Sequence, residues 1–116
     1  MKALALAAAM AALAQPALAG ACVENGAPLT GRFEWASLTA PNGKPIPAPF
    51  VVLDTSICTV SGAQGRRVTL ELKDDAALNG LAAGAVLTVT GDYAAPDAQW
   101  NSADIVATNA VIVSRP

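Results

Sequence analysis

The segment LTGRFEW, residues 29–35, decides the fold of this chain, because its hydrophobic residues alternate with polar ones. A period of two is typical of a β-strand that buries one face. Gly31 lies in the middle of the segment and indicates a bulge or a sharp bend, which closed sheets need at their corners. The segment VTGDY, residues 89–93, repeats the order of apolar residue, threonine, glycine, charged residue and aromatic ring. We interpret the two segments as strands that bend in the same way.

Besides LTGRFEW, four strands are predicted along the chain, and one of them contains VTGDY. Residues 50–54 and 57–60 are mostly apolar and predict one strand with a kink between its halves. Residues 67–72 alternate cleanly, and residues 85–93 and 104–114 are rich in valine and other strand-forming residues. The chain therefore has the pattern of an all-β domain.

Two connecting segments have signals of their own. Residues 73–84 open with acidic side chains and space Leu78 and Leu81 as a helix does, which predicts a short helix. After the first strand, Asn42-Gly43 predicts a turn, and alternating prolines at 45, 47 and 49 predict a stiff lead-in to the second strand. The order β-β-β-α-β-β is that of a small OB-like five-stranded barrel. A small β-sandwich is the alternative that periodicity does not exclude.

The first residues predict export. Lys2 precedes an apolar run over residues 3–14, and Ala17 and Ala19 match the pattern that a signal peptidase cleaves. We expect a signal peptide at residues 1–19, cut after Ala19 or Ala21, followed by a single OB-like β domain at residues 20–116. Neither this run nor any later uncharged run approaches the ~18 apolar residues of a transmembrane helix. The expected location is the periplasm or the exterior of the cell.

The two cysteines of the chain, Cys22 and Cys58, both lie beyond the predicted leader. In an oxidising compartment, an even number of cysteines in a small domain predicts a disulfide, here Cys22–Cys58. The alternative is lipidation of Cys22, which would leave Cys58 unpaired. Bacterial lipoproteins usually have leucine three residues before the modified cysteine, and here Ala19 occupies that place. The residues therefore favour the disulfide.

Charge and composition argue against several classes of function. Without Lys2 the domain has six lysines and arginines against nine aspartates and glutamates, whereas nucleic-acid-binding proteins need a basic surface. The chain has no histidine, which removes Ser-His and Cys-His catalytic pairs and the usual zinc ligand. We expect no enzyme activity, no cofactor, no metal site and no nucleic-acid partner.

Several short segments together resemble a family of small bacterial exported domains of unknown function. The matching residues are ordered along nearly the whole domain: Cys22, Pro49-Phe50, Leu53-Asp54, Ile57-Cys58, residues 68–70, residues 87–91 and residues 104–106. The resemblance implies a β domain with paired cysteines and a barrel-like fold, and it implies no activity. Many members of the family have histidines in the loop before the last strand. This chain has AAPDAQWN at residues 94–101 instead, so a metal role for that loop does not carry over.

Aromatic residues near two predicted loops are the candidate binding residues. Barrels of the OB type bind ligands through the loops after the first strand and before the fifth, here residues 36–48 and 94–103. Trp35 and Tyr93 end strands beside these loops, and Trp100 and Asn101 lie inside the later one. Aromatic side chains at such positions anchor peptides, sugars or proteins. The alternative for Trp35 and Tyr93 is that they cap the core.

The residues therefore predict a non-catalytic binding or interaction module of the bacterial periplasm or cell envelope. Its expected partner is an envelope protein or a small ligand. Two alternatives stay open at this point. One is an inhibitor of lysozymes or proteases that inserts residues 41–49 or 94–103 into its target, and the other is a structural envelope lipoprotein.

Overall fold

Five β-strands form the framework of the molecule. The computed structural model describes residues 22–40, 42–96 and 103–116, so the leader predicted at residues 1–19 lies outside the described residues. The strands are β1 (Leu29–Thr39), β2 (Pro45–Cys58), β3 (Gln64–Leu72), β4 (Val86–Ala94) and β5 (Ile105–Ser114), and a 3₁₀ helix (Asp75–Leu78) lies between β3 and β4. Over the described residues, no helix has the length and hydropathy that crossing a membrane requires.

The strands close into a barrel in the order β1-β2-β3-β5-β4, and β4 pairs back with β1. β3 and β5 run parallel, whereas the other neighbouring strands are antiparallel. The predicted fold class, an all-β five-stranded barrel with one short helix between the third and fourth strands, is confirmed.

Side chains alternate between the interior and the exterior of the barrel, as a period of two requires. Five residues from the five different strands are each 0% exposed: Phe33, Val51, Val68, Leu87 and Ile105. Their removal from water is the main favourable contribution to folding. The core is therefore built from every strand, so a complete core requires the closed barrel.

Gly31 permits the close approach of β1 to β2. It pairs with Leu53 on one side and with Leu87 on the other. A Cβ atom at this position would lie 2.5 Å from the carbonyl oxygen of Val52 and 2.6 Å from Cγ1 of Val51. Non-bonded carbon atoms prefer about 3.5–4.0 Å, so a residue with a side chain does not fit here without a shift of β2.

A disulfide and a short strand bridge attach the N-terminal segment to the end of β2. Cys22 and Cys58 are bonded, with their Cα atoms 4.7 Å apart, so the predicted disulfide is confirmed. Beside it, Val23 forms a parallel bridge with Thr59, and the N–H of Val23 donates to the carbonyl of Cys58 at 2.8 Å. The bond to Cys58 uses the thiol of Cys22 that lipidation would need.

The alternating prolines lie inside β2, although the sequence pattern places them before it. Pro45, Pro47 and Pro49 pair with residues of β1. Successive amides of a strand point to opposite edges. The three prolines occupy every second position, so the N–H groups that they lack would all have pointed away from β1. The strand therefore begins at Pro45 and not at residue 50, because these prolines interrupt no hydrogen bond to β1.

The helix is shorter than the sequence pattern predicts. It is a single 3₁₀ turn, Asp75–Leu78, capped by Asp74, whose Oδ1 accepts from the N–H of Ala76 at 3.0 Å. Gly80 and Gly84 follow with φ angles of 80° and 91°. Positive φ values are incompatible with a continuing right-handed helix, so the segment ends after one turn.

Candidate ligand-binding cavity

An open cavity of about 480 Å³ lies between the hairpin of β1 and β2 and the described ends of the segment that joins β4 to β5. Its described lining comes from the hairpin, from β3 and β5, and from both ends of the joining segment: Leu38, Ile46, Ala48, Thr69, Leu70, Glu71, Ala94, Ala95, Pro96, Ala103, Val106 and Thr108. Most of these residues are apolar, which is typical of a site for small ligands.

The outer face of β3 and β5 forms the floor of the cavity. Val68 and Ile105 point into the core, and neighbouring side chains in a strand point to opposite faces. Thr69 and Val106 are paired across the two strands, so both point outward and meet the cavity. The cavity is therefore separate from the core.

The part of the β1–β2 hairpin that extends beyond the barrel forms one side of the cavity. Beyond the barrel, β1 and β2 continue as a two-stranded ribbon in which Leu38 pairs with Ile46 and Ala36 with Ala48. Paired residues of antiparallel strands share a face, so these four side chains lie on the same side of the ribbon. Three of them line the cavity, which gives this side an apolar surface.

Thr69 supplies a hydroxyl that has no partner among the described residues. Its side chain is 4% exposed, and no group of the described residues forms a hydrogen bond with Oγ1. Thr59 is similarly buried, but its Oγ1 bonds Oγ of Ser61 at 2.8 Å and accepts from the N–H of Ala63 at 3.0 Å. Leaving a buried hydroxyl unsatisfied costs roughly 1–3 kcal/mol. A ligand that bonds Oγ1 of Thr69 removes this cost, so the hydroxyl is suited to ligand recognition.

Glu71 gives the cavity its charge. It is the one charged residue in the described lining, and it is exposed. Glu71 and Thr69 are two residues apart on β3, so their side chains point to the same side. Carboxylate and hydroxyl oxygens both accept hydrogen bonds. The cavity therefore favours a ligand with an apolar body and a neutral or cationic donor group.

A second cavity, of about 430 Å³, lies beside Arg66 and Arg67 at the start of β3. Oδ2 of Asp104 accepts from the backbone N–H groups of both arginines at 3.0 Å. Nε of Arg66 donates to the carbonyl of Leu53 at 2.7 Å, and the guanidinium of Arg67 lies 4.8 Å from the centre of the Phe50 ring. Nε of Arg67 is buried without a partner among the described residues, but its guanidinium stacks on that ring. Both side chains are thus fixed to the barrel wall, which favours the first cavity as the binding site.

Replacing Asp104 by alanine is expected to lower the free energy of unfolding by about 2 kcal/mol, because two backbone N–H groups lose a charged acceptor. Asp104→Asn keeps an acceptor oxygen, so its loss is expected to be clearly smaller. Urea denaturation of the two variants and the wild type measures both losses. Equal losses would contradict the role given to the carboxylate.

Tyr93, a predicted binding residue, lies in the core and not at the cavity. It is 2% exposed, and its hydroxyl donates to the carbonyl of Ala27. Its backbone N–H donates to Oδ1 of Asn25 at 2.9 Å. Tyr93 therefore links β4 to the segment that precedes β1.

Removing the Tyr93 hydroxyl tests this role. Burial raises the pKa of the Tyr93 phenol above its ordinary value near 10, and the neighbouring Asp92 raises it further. The folded state holds this proton more tightly than the unfolded state, so stability is fully present below about pH 10 and is lost as the pH rises toward the folded pKa. Tyr93→Phe is expected to lower the free energy of unfolding by about 1 kcal/mol at neutral pH, because the bond to Ala27 is lost. Above about pH 10, the stability of this variant is expected to fall less than that of the wild type. Denaturation curves of the variant and the wild type at neutral pH and above about pH 10 measure the two stabilities. An equal loss of stability in both proteins as the pH rises would contradict the role given to the phenol.

Trp35 does not line the cavity. It is 53% exposed, and its pairing with Pro49 places it on the opposite face of the ribbon from Leu38. Its ring meets that of Phe33 edge-on, with the ring centres 5.6 Å apart. The structure therefore does not bring Trp35 and Tyr93 together at one site.

Trp100 and Asn101, the other two predicted binding residues, lie outside the described residues. The described residues on either side of that segment, Pro96 and Ala103, both line the cavity. Described residues of both predicted loops, 36–48 and 94–103, therefore line the cavity. Thr69 and Glu71 were not predicted, because a threonine and a glutamate between leucines and valines also fit an ordinary strand with one exposed face.

Within the described part of the chain, no group of three or more His, Cys, Asp or Glu residues is placed to hold a metal ion.

Comparisons of the chain with protein-family models, with curated proteins and with solved structures found no match.

Proposed function

We propose that this protein is a non-catalytic binding domain of the bacterial periplasm or cell envelope. Its ligand is a small molecule, or a side chain of an envelope protein, with an apolar body and a neutral or cationic donor group. The observation that carries the proposal is the buried hydroxyl of Thr69, which has no partner among the described residues and belongs to a residue that lines an apolar cavity.

The strand order supports a barrel of the OB class. The order β1-β2-β3-β5-β4, the parallel pairing of β3 with β5 and the short helix before β4 agree with the order of elements in that class. OB barrels bind ligands on the face of strands two and three, between the loops after strand one and before strand five. The sides of the cavity come from the corresponding elements, the hairpin and the described ends of the segment before β5, whereas its floor is the outer face of β3 and β5.

Two observations support export. The first residues have the charge, the apolar run and the small residues of a secretory leader. Cys22 and Cys58 are joined, and disulfides form and persist mainly in oxidising compartments such as the periplasm. The resemblance to small exported domains points the same way.

Two probes of equal size and opposite charge test the proposed ligand class. Benzylammonium has an aromatic body and a cationic donor, whereas benzoate has the same ring with an anionic acceptor. Weak binding of benzylammonium is expected, with shifts of the amide NMR signals of Thr69, Val106 and Thr108 during a titration. Benzoate is expected to shift these signals far less, because it meets the carboxylate of Glu71. Equal binding of the two probes, or shifts confined to other residues, would contradict the proposal.

Thr69→Val is expected to raise stability and to lower affinity at the same time. The variant replaces an unsatisfied buried hydroxyl by a methyl group, so the free energy of unfolding is expected to rise by about 1 kcal/mol. The lost hydrogen bond is expected to weaken benzylammonium binding roughly tenfold. Chemical denaturation and the NMR titration measure the two effects.

Thr30→Val is the matched control. Thr30 is exposed on β1 and bonds Oγ1 of Thr88 at 2.7 Å, away from the cavity lining. Its replacement is expected to leave benzylammonium binding unchanged and to give no gain in stability. A Thr69 variant that behaves like this control would remove Thr69 from the site.

A further inference from the structure

Beyond the barrel, one edge of β1 has no strand partner among the described residues. Its pairing with β4 covers Leu29–Arg32. At Phe33 the contact ends with two hydrogen bonds, from the N–H of Phe33 to the carbonyl of Ala85 at 2.8 Å and from the N–H of Gly84 to the carbonyl of Phe33 at 2.7 Å. From Trp35 to Thr39, no described residue pairs with this edge. The ribbon therefore presents a free strand edge.

Three residues direct their backbone groups to this edge. Phe33 bonds toward the β4 side, and amides alternate along a strand, so Trp35, Ser37 and Thr39 point the same way. The register leads to the same conclusion, because the partners of these three residues in β2 are prolines, which have no N–H to donate. Three N–H groups and three carbonyls are thus available for pairing.

The opposite edge of the ribbon is blocked. Pro45, Pro47 and Pro49 occupy the positions of β2 whose amides would point away from β1. Without those donors a further strand cannot continue the sheet on that side. The ribbon can therefore be extended on the β1 edge alone.

We infer that the free edge of β1 pairs with the same edge of a second copy of this chain. The two strands run antiparallel about a two-fold axis at Ser37, so that Ser37 faces Ser37 and Trp35 faces Thr39. In this register the three residues of each copy exchange their backbone hydrogen bonds with the three of the other. Because prolines block both outer edges, the assembly ends at a dimer instead of growing into a fibre.

The side chains fit this arrangement. Leu38 of one copy lies beside Ala36 of the other, which extends the apolar face of the ribbon across four strands. Residues 35–40 carry no charge, so no like charges meet at the new pairing. Glu34 of one copy lies opposite Ala40 of the other, and Lys44 lies beside Ala40 just before β2, so the two opposite charges are two strands, about 10 Å, apart. This self-complementarity favours a second copy over an unrelated strand.

Two cysteine variants test the register directly. Residues opposite each other in a hydrogen-bonded pair have Cα atoms about 5.5 Å apart, within the range of a disulfide. Ser37→Cys is therefore expected to give a covalent dimer under mild oxidation, while the native Cys22–Cys58 bond stays intact. Thr39→Cys is the matched control, because it faces Trp35 and the two added cysteines lie about 14 Å apart. Non-reducing electrophoresis and intact mass measure the yields, and equal yields from the two variants would overturn the inference.

Ser37→Pro tests the pairing without a cross-link. The variant removes the N–H at the two-fold axis, and proline is tolerated at an edge where that N–H bonds nothing within the monomer. Wild type and Ser37→Thr are expected to dimerise as concentration rises in sedimentation experiments, whereas Ser37→Pro is expected to stay monomeric with unchanged thermal stability. A wild type that stays monomeric at every concentration would overturn the inference, and so would a dimer that Ser37→Pro leaves intact. Probe binding at the cavity is read independently by NMR, so either proposal can fail alone.

Discussion

Replacing both Cys22 and Cys58 by alanine is expected to lower the free energy of unfolding by about 4 kcal/mol. The disulfide joins residues 36 apart in sequence, and the loop that it closes contains all of β1 and β2. In the chain-entropy model, such a link stabilises the folded state by restricting the unfolded chain. A small domain has a modest core, so a loss of this size is a large part of its total stability.

The loss has a structural component as well. Without the bond, the bridge between Val23 and Thr59 depends on two backbone hydrogen bonds of Val23, at 2.8 and 2.9 Å, and on the packing of the Val23 side chain against the core. We expect this segment to detach first, seen as fast hydrogen exchange at Val60, whose N–H donates to Val23. Urea denaturation compares the double variant with oxidised and with reduced wild type. Reduced wild type is expected to match the double variant, and a loss below about 1 kcal/mol would contradict the account.

Gly31→Ala is expected to cost about 3 kcal/mol or more, which is at the upper end for overpacking. The added Cβ would meet the carbonyl oxygen of Val52 at 2.5 Å, and this atom belongs to the backbone. Val52 pairs with Arg32 on one side and Arg67 on the other, so it cannot move without disturbing two strand pairs. A clash with a side-chain tip would be relieved more easily.

Gly91→Ala is the matched control for this prediction. Gly91 occupies the same place in the segment VTGDY as Gly31 in LTGRF, but a Cβ there would lie 3.0 Å from its nearest atom, the carbonyl oxygen of Thr108. Its replacement is expected to cost about 1 kcal/mol. Thermal and urea denaturation of both variants measure the difference. Equal costs would show that the approach of β1 to β2 does not depend on Gly31.

The order and type of the strands follow from local patterns. Alternation in LTGRFEW and in residues 67–72 reflects which side chains are buried, and the structure places Phe33 and Val68 in the core accordingly. The disulfide was predictable as well, because the count of cysteines and the predicted compartment left one intramolecular pairing. These features depend on short-range signals or on composition.

The lengths of β1 and β2 were not predictable in the same way. Residues 36–49 consist mostly of alanine, proline and small polar residues, which have low strand propensity. They form a ribbon because each strand provides the other's hydrogen bonds, and because the prolines all face the same outer edge. That condition depends on the pairing of two segments and not on either segment alone.

The candidate site was predictable only in its outline. OB-type topology indicated the two loops that contribute to the cavity, but it gave no reason to select Thr69 or Glu71. Tyr93 has an aromatic ring beside a loop, yet its hydroxyl is bonded to Ala27 inside the barrel. The unsatisfied hydroxyl of Thr69 depends on which groups surround it in three dimensions, and a single sequence carries no signal for that.

The position of bound benzylammonium shows whether the cavity is the ligand site. Intermolecular nuclear Overhauser effects report which protein protons lie beside the ring of the probe. We expect contacts from the ring to the methyl groups of Thr69, Val106 and Ile46, and their loss in Thr69→Val at the same probe concentration. Contacts to the exposed Trp35 or Val60 instead, unchanged in Thr69→Val, would contradict the claim that the cavity is the ligand site.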